Sequence, residues 1–317
     1  MSRKTSCLAL SGGVGGAKLA LGLANYLEPT ELAIAANIGD DFEHLGLTIC
    51  PDIDTLTYTL SGLSNQQLGW GRAGDTPTFM HALEALGGET WFHLGDGDLA
   101  LHVARSHRLR LGEGLSRITA DVSQKLGIAA RILPASDDRV RTIVQTAAGP
   151  LPLQHYFVRD KCAPEVSGFQ YEGADSARVN PEILEALVAP SLTAVIICPS
   201  NPYISIDPML AMPELKQALK RCPAPIVAVS PIVGGQALKG PTAKMMQELG
   251  TEVSAETVAR HFADFIDGFV LDPADANLES AVRAAGINCH TTPSVMKSLD
   301  DRVNLAQETF EFAASLR

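Results

Sequence analysis

Four aspartates, Asp40, Asp41, Asp52 and Asp54, fall close together downstream of the glycine-rich turn Ser11-Gly12-Gly13-Val14-Gly15-Gly16-Ala17-Lys18. Glycine N–H groups at the start of a helix can approach a phosphate, and the helix end adds partial positive charge. Carboxylates with no lysine or arginine between them repel one another unless a cation joins them. Their hard oxygens suit Mg²⁺, which takes one or two carboxylates and completes its shell with water and phosphate oxygens. Together these features point to a metal-bridged nucleotide.

The turn lies between an apolar run at 6–10 and a helical pattern at 17–27, the context a phosphate site needs. It lacks P-loop spacing, and Lys18 stands where a dinucleotide fingerprint has its third glycine. The next apolar run ends in Ala36-Asn37 and not in a ribose-binding acid. Both departures disfavour a nicotinamide oxidoreductase. The competing reading of Gly12, Gly13, Gly15 and Gly16 is close packing of strand on helix. One of Asp52 and Asp54, which follow Pro51 at a helix start, can be an N-cap, with the other free for chemistry.

Further on, Trp91-Phe92-His93-Leu94-Gly95-Asp96-Gly97-Asp98 leads into a helix. If Asp98 caps it, His102 and Arg105 share a face. His102 reads most simply as structural, whereas Arg105 with Ser106 is a candidate for a phosphate or acid group. Two later apolar runs end in Pro199-Ser200-Asn201-Pro202 and Ser230-Pro231-Ile232. Ser200, Asn201 and Ser230 can face a nucleotide from these strand ends, or serve only the turns.

These residues need a scaffold that gathers strand ends on one side. Apolar runs at 6–10, 32–37, 130–133, 194–198, 225–230, 268–271 and 287–289 alternate with helical patterns. The alternation predicts an α/β fold with a doubly wound, mainly parallel Rossmann-like sheet. The middle breaks the rhythm: 55–130 is mostly helical, and 141–145 and 153–158 alternate around Ala147-Ala148-Gly149-Pro150 as a hairpin. The expectation is one domain over 1–317 with an inserted helical and β-hairpin lobe at about 55–175.

The net charge of −11, from 25 basic and 36 acidic side chains, argues against a broad footprint for nucleic acid or anionic lipid. No apolar run reaches the length of a membrane span. The start, Met1-Ser2-Arg3-Lys4-Thr5, runs directly into a strand, so a cytoplasmic address is expected. Six cysteines are scattered without a C-x-x-C pair, which excludes a disulfide framework or thiolate metal site on spacing.

With these segments in place, the chain resembles the 2-phospho-L-lactate transferase family of the CofD type, which acts in coenzyme F-420 biosynthesis. The resemblance runs through Gly12–Ala17 of the glycine turn, Asn37-Ile38-Gly39-Asp40-Asp41, Pro51-Asp52-Ile53-Asp54-Thr55, Leu94-Gly95-Asp96, Leu133-Pro134-Ala135-Ser136-Asp137, Pro199-Ser200-Asn201-Pro202 and Ser230-Pro231-Ile232. It implies a Mg²⁺-dependent homodimeric enzyme using a guanosine diphosphate-linked three-carbon acid as donor. The acid is phospholactate, phosphoenolpyruvate or phosphoglycerate. The acceptor is the ribityl hydroxyl of 7,8-didemethyl-8-hydroxy-5-deazariboflavin, and GMP leaves.

By the same carry-over Asp54 and His93 meet the deazaflavin, Asp40 and Asp54 hold the metal and carry catalysis, and Gly12, Gly13, Gly15, Gly16, Ser200, Asn201 and Ser230 face the nucleotide. Asp54→Asn should then abolish transfer with little effect on folding. The chain departs from the family at Gly97, where Gly-Asp-Arg-Asp often supplies an arginine, and at His93, where a basic residue is frequent. A non-catalytic nucleotide-sugar-binding regulator on the same sheet is the alternative. Such a protein needs the glycine turn but not Asp40 with the Asp52–Asp54 pair.

Overall fold

The computed structural model describes residues 5–65 and 69–317. Met1-Ser2-Arg3-Lys4, read above for a leader, lie outside the described residues. The chain runs β1 (Cys7–Ser11), α1 (Gly13–Tyr26), β2 (Leu32–Ala36), β3 (Phe42–His44), β4 (Leu47–Ile49), α2 (Pro51–Leu60), α3 (Thr78–Ala85), α4 (Asp96–Arg110), α5 (Leu115–Lys125) and β5 (Arg131–Pro134). It continues through β6 (Arg141–Thr146), β7 (Gly149–Pro152), β8 (Val166–Glu172), α6 (Pro181–Leu187), β9 (Ala194–Ile197), α7 (Asp207–Leu210), α8 (Pro213–Lys220) and β10 (Ile226–Val229). The rest is β11 (Ile232–Val233), β12 (Gln236–Ala237), α9 (Thr242–Glu248), α10 (Ala255–His261), β13 (Gly268–Leu271), α11 (Glu279–Ala284), β14 (Asn288–Thr291) and α12 (Leu299–Ser315).

All seven apolar runs become strands of one sheet, ordered β14-β13-β10-β9-β1-β2-β5 and parallel throughout. Buried on both faces, such strands need continuous apolar sequence, and β1, β2, β9 and β10 are buried at every position. From β1 the order proceeds outward through β2 on one side and β9 on the other. The crevice between β1 and β9 is therefore the topological switch point, where ligands bind beyond the carboxyl strand ends. The described residues contain no helix long and apolar enough to cross a membrane.

The region 55–175 is not one continuous lobe. β5 returns to the central sheet in its midst, so α2 to α5 form part of the crossover from β2 to β5. A separate antiparallel sheet, β7-β6-β8, follows within the crossover to β9. The first hairpin arm is as expected, but 153–158 is not the second: that arm is β7, and His155–Arg159 forms a π-helical turn. Pro150 and Pro152 cannot donate to a ladder, which keeps β7 at the edge. Beyond it the chain turns inward to bury Tyr156 completely.

Two local features depart from the sequence pattern. Helix α1 begins at Gly13, so most of the glycine turn is helix and not loop. The short hairpin β3–β4 has no alternating signal, and its turn places Leu45 at φ 53° and Gly46 at φ 72°. Positive φ at both central residues is the geometry that matches strand twist in a two-residue hairpin.

Candidate active site

The β1–α1 turn and the β9 exit loop meet at the switch point. Ser200 Oγ donates to Gly12 O at 2.8 Å. A Cβ on Gly15 would overlap Pro199 O, and one on Gly12 would lie 2.6 Å from Ser205 Cβ. Gly13 has φ 65°, a conformation side chains resist. The packing reading of these glycines is thus real, and the close approach it creates brings α1's N-terminus to the crevice. The first helical N–H groups lack intrahelical acceptors. Asp52 takes one of them, since its Oδ1 accepts from Gly13 N–H at 2.6 Å.

Asp52 therefore caps a helix, but α1 and not its own. Helix α2 starts at Pro51, with Cys50 as N-cap, which puts Asp52 and Asp54 inside the first turn. The two side chains diverge. Asp52 Oδ2 accepts from Asn37 Nδ2 at 2.9 Å, and Asp40 Oδ1 accepts from the same amide at 2.9 Å. Asn37 is fully buried and its own Oδ1 accepts from Gly39 N–H, which fixes the loop carrying Asp40. Sequence reading left Asn37 without a role, although its place at the end of β2 was the available signal.

Asp40 and Asp52 form the close carboxylate pair. Burial first, then the Asp52 charge, pushes the Asp40 carboxyl well above the ordinary carboxylate range. Burial raises Asp52 to about 6 against the pull of Asn37 and the Gly13 N–H. Asp41, also buried, rises to about 7, with Arg141 working in the opposite direction. Asp40 Oδ2 accepts no hydrogen bond among the described residues. No group of three or more histidine, cysteine, aspartate or glutamate side chains there encloses a metal. Two repelling carboxylates, one with an uncommitted oxygen, fit a cation that draws its remaining ligands from substrate and water. They do not fit an all-protein cage.

Asp54 turns to α4. Its Oδ1 pairs with Arg105 Nη2, and Oδ2 accepts from Nη1 at 3.1 Å. The pair is buried, with side chains 7% and 3% exposed. Burial opposes the Arg105 charge, but Asp54 outweighs it and holds the guanidinium protonated more firmly than free arginine. Next to the pair, His102 Nε2 lies 3.0 Å from Asp98 Oδ2, and Tyr58 donates to Asp98 Oδ1 at 2.5 Å. Helix α4 is capped at Gly95, so Asp98 sits in its first turn and holds His102 one turn later. His102 thus stands between Asp98 and Asp54, its Nδ1 3.7 Å from Asp54 Oδ2.

The predicted site residues fall into separate sets of contacts. The structure couples Asp40 to Asp52, and Asp54 is committed to Arg105 and not joined to Asp40. Arg105 turns both Nη groups to Asp54. Ser106 accepts from Thr48 N–H at 2.7 Å and donates to His102 O at 2.7 Å. Ser230 closes its own turn through Ile232, and Asn201 accepts from Tyr203 N–H. Both thus close turns, and nearby the buried Ser11 Oγ has no hydrogen-bond partner among the described residues.

His93 is exposed and meets the half-exposed Trp70, their ring centroids 6.5 Å apart. Gly97 packs against Arg72 and Asp75. The Arg72 guanidinium occupies the space a Cβ would take, and Asp75 accepts from the Gly97 and Asp98 N–H groups.

A family model described as 2-phospho-L-lactate transferase CofD matches residues 7–303. A phosphoenolpyruvate transferase of Kitasatospora aureofaciens is 37% identical, over 98% of both chains. A 2-phospho-L-lactate transferase of Methanosarcina mazei is 36% identical, over 95% of this chain and 98% of its own. A crystal structure of a Bacillus halodurans protein superposes with a TM-score of 0.61 over 97% of this chain and 99% of its own, at 16% identity, and supports the fold alone. With the carboxylate pair, the glycine turn and the switch-point crevice all falling within the matched length, the chain belongs to the 2-phospho-L-lactate transferase (CofD) family of transferases.

Proposed function

We propose that the protein transfers a phosphorylated three-carbon acid from a guanosine diphosphate-linked donor to a ribityl hydroxyl of 7,8-didemethyl-8-hydroxy-5-deazariboflavin, with GMP leaving. The observation that carries this reading is the Asp40–Asn37–Asp52 cluster against the N-terminus of α1 at the switch point. Asp40 and Asp52 would hold Mg²⁺, which supplies charge neutralisation to a diphosphate bound there. The half-buried first turn of α1 offers its remaining N–H groups to the same phosphates. The acceptor hydroxyl oxygen attacks the phosphorus bearing the acid, the bond to the GMP phosphate oxygen breaks, and the hydroxyl proton passes to solvent or to a neighbouring carboxylate. Positioning and preorganised charge carry most of the rate in such transfers. Asp54 lies behind Asp52 and positions α2 through Arg105, and His93 with Trp70 offers the deazaflavin an aromatic edge. A homodimer in the cytoplasm completes the reading.

The relatives' names divide between phosphoenolpyruvate and 2-phospho-L-lactate, so the acid is left as a class. The test is incubation with deazaflavin, Mg²⁺ and each guanylated donor, followed by mass identification of the product and of GMP. Formation of a deazaflavin carrying one phosphorylated acid supports the reading. Tight nucleotide-sugar binding with no product from any donor favours the regulator.

A further inference from the structure

A cavity of about 120 Å³ lies along the seam of α1 and α2, about one helical turn beyond the Gly13–Asp52 contact. Lys18, Lys239, Lys297 and Arg302 line it, with Thr55 and Trp70, and no carboxylate does among the described residues. That concentration of cations runs against a chain whose net charge is −11. Lys239 makes no ion pair or hydrogen bond among the described residues, and its Nζ fills the space beside Gly69 that a Cβ would occupy. Lys18 Nζ is tethered by a backbone carbonyl, Met296 O at 3.2 Å, which holds the ammonium in place and leaves its charge unneutralised. Burial first, then the Lys239 and Arg302 charges, lower the Lys18 pKa.

The site is distinct from the one that takes the diphosphate. The phosphates belong at the first turn of α1 beside Asp40 and Asp52, where carboxylates require a cation. The cavity begins at Val14 and reaches Lys18, on the far side of that turn, and offers ammonium groups to a carboxylate or other small anion. Trp70, 53% exposed, is among its lining residues. It thereby takes over the task that sequence reading gave to Arg105 and Ser106, which are committed elsewhere.

We propose that this cavity binds the carboxylate of the donor's three-carbon acid, with Lys18 and Lys239 as its principal partners. The proposal rests on the reading of a guanylated acid donor. It makes the lysines specificity determinants, because GDP, which lacks the acid, would not reach them.

The test uses Lys239→Met and Lys297→Met, both at exposed positions where folding is not at stake, with Lys239→Arg as the conservative partner. Steady-state kinetics give KM for donor and acceptor, and calorimetry gives GDP affinity. Loss of one charge-assisted contact should raise the donor KM about tenfold or more in Lys239→Met, with GDP affinity and acceptor KM within about twofold of wild type. Lys239→Arg should restore most of the donor affinity. An unchanged donor KM in both methionine variants, an equal loss for GDP, or a loss confined to the acceptor overturns the carboxylate assignment while wild-type turnover keeps the transferase reading. Absence of turnover by the wild type with every guanylated donor overturns both.

Discussion

Replacement of Asp54 by asparagine tests the division of labour among the aspartates. Read from sequence, that change removes catalysis and spares folding; read from the structure, it strips a buried guanidinium of the carboxylate it pairs with. Both Arg105 Nη groups point at Asp54, and the arginine side chain is 3% exposed. Breaking a buried pair by removing one partner costs about 3–5 kcal/mol, chiefly because the remaining charge is left uncompensated. Asparagine keeps one acceptor, so the lower end, about 3 kcal/mol, is expected. With a urea m-value of about 3 kcal/mol/M, this lowers the unfolding midpoint by about 1 M. Asp54→Leu with Arg105→Met should recover most of that loss, since an apolar pair of similar volume has no charge to desolvate. The assay is urea unfolding followed by circular dichroism, with Mg²⁺ affinity measured in parallel. An Asp54→Asn midpoint within about 0.2 M of wild type refutes the structural role, given the same m-value. Mg²⁺ affinity lost along with an unchanged midpoint would return Asp54 to the metal.

Asp40→Asn and Asp52→Asn should each weaken Mg²⁺ binding in the presence of GDP by tenfold or more by calorimetry, in keeping with a cation held by few protein ligands. Asp52→Asn should also cost about 1 kcal/mol of stability through the lost cap on Gly13. Asp41 carries a pH signature: its folded pKa of about 7 lies above the unfolded value near 4, so the folded state retains a proton that the unfolded state has released. Stability should fall as pH rises from 4 to 7, by up to about 1.4 kcal/mol per pH unit for this proton, and Asp41→Asn should flatten that slope in thermal unfolding. Gly15→Ala must displace Pro199 O and should destabilise by about 1–3 kcal/mol and lower nucleotide affinity, whereas Gly168→Ala, whose Cβ meets only Gln145 Cβ at 4.0 Å, should be nearly silent by both measures.

The sheet was legible because each central strand is apolar at consecutive positions and bounded by glycine, proline or asparagine, a pattern that few other elements share. Features set by long-range contact were not. The β3–β4 hairpin turns on Leu45 at positive φ, which no turn propensity announces. The inward turn at His155–Arg159 depends on a pocket for Tyr156 that only the fold creates.

The same limit governs the site. Sequence located the aspartates but could not say which carboxylate meets which donor, because Asp52 and Asp54 differ by two positions on a helix and hence by about 200° around its axis. That angle sends Asp52 to α1 and Asn37 and sends Asp54 to Arg105 on α4. The motif Pro51-Asp52-Ile53-Asp54-Thr55 thus places one carboxylate at the crevice and one in the support behind it. A single helix turn couples the Asp40–Asp52 pair to the buried ion pair, so damage to the support should appear at the crevice as lost geometry before it appears as lost charge. Restoration of the support by an apolar pair, without restoration of Asp54, is the arrangement that would separate the two.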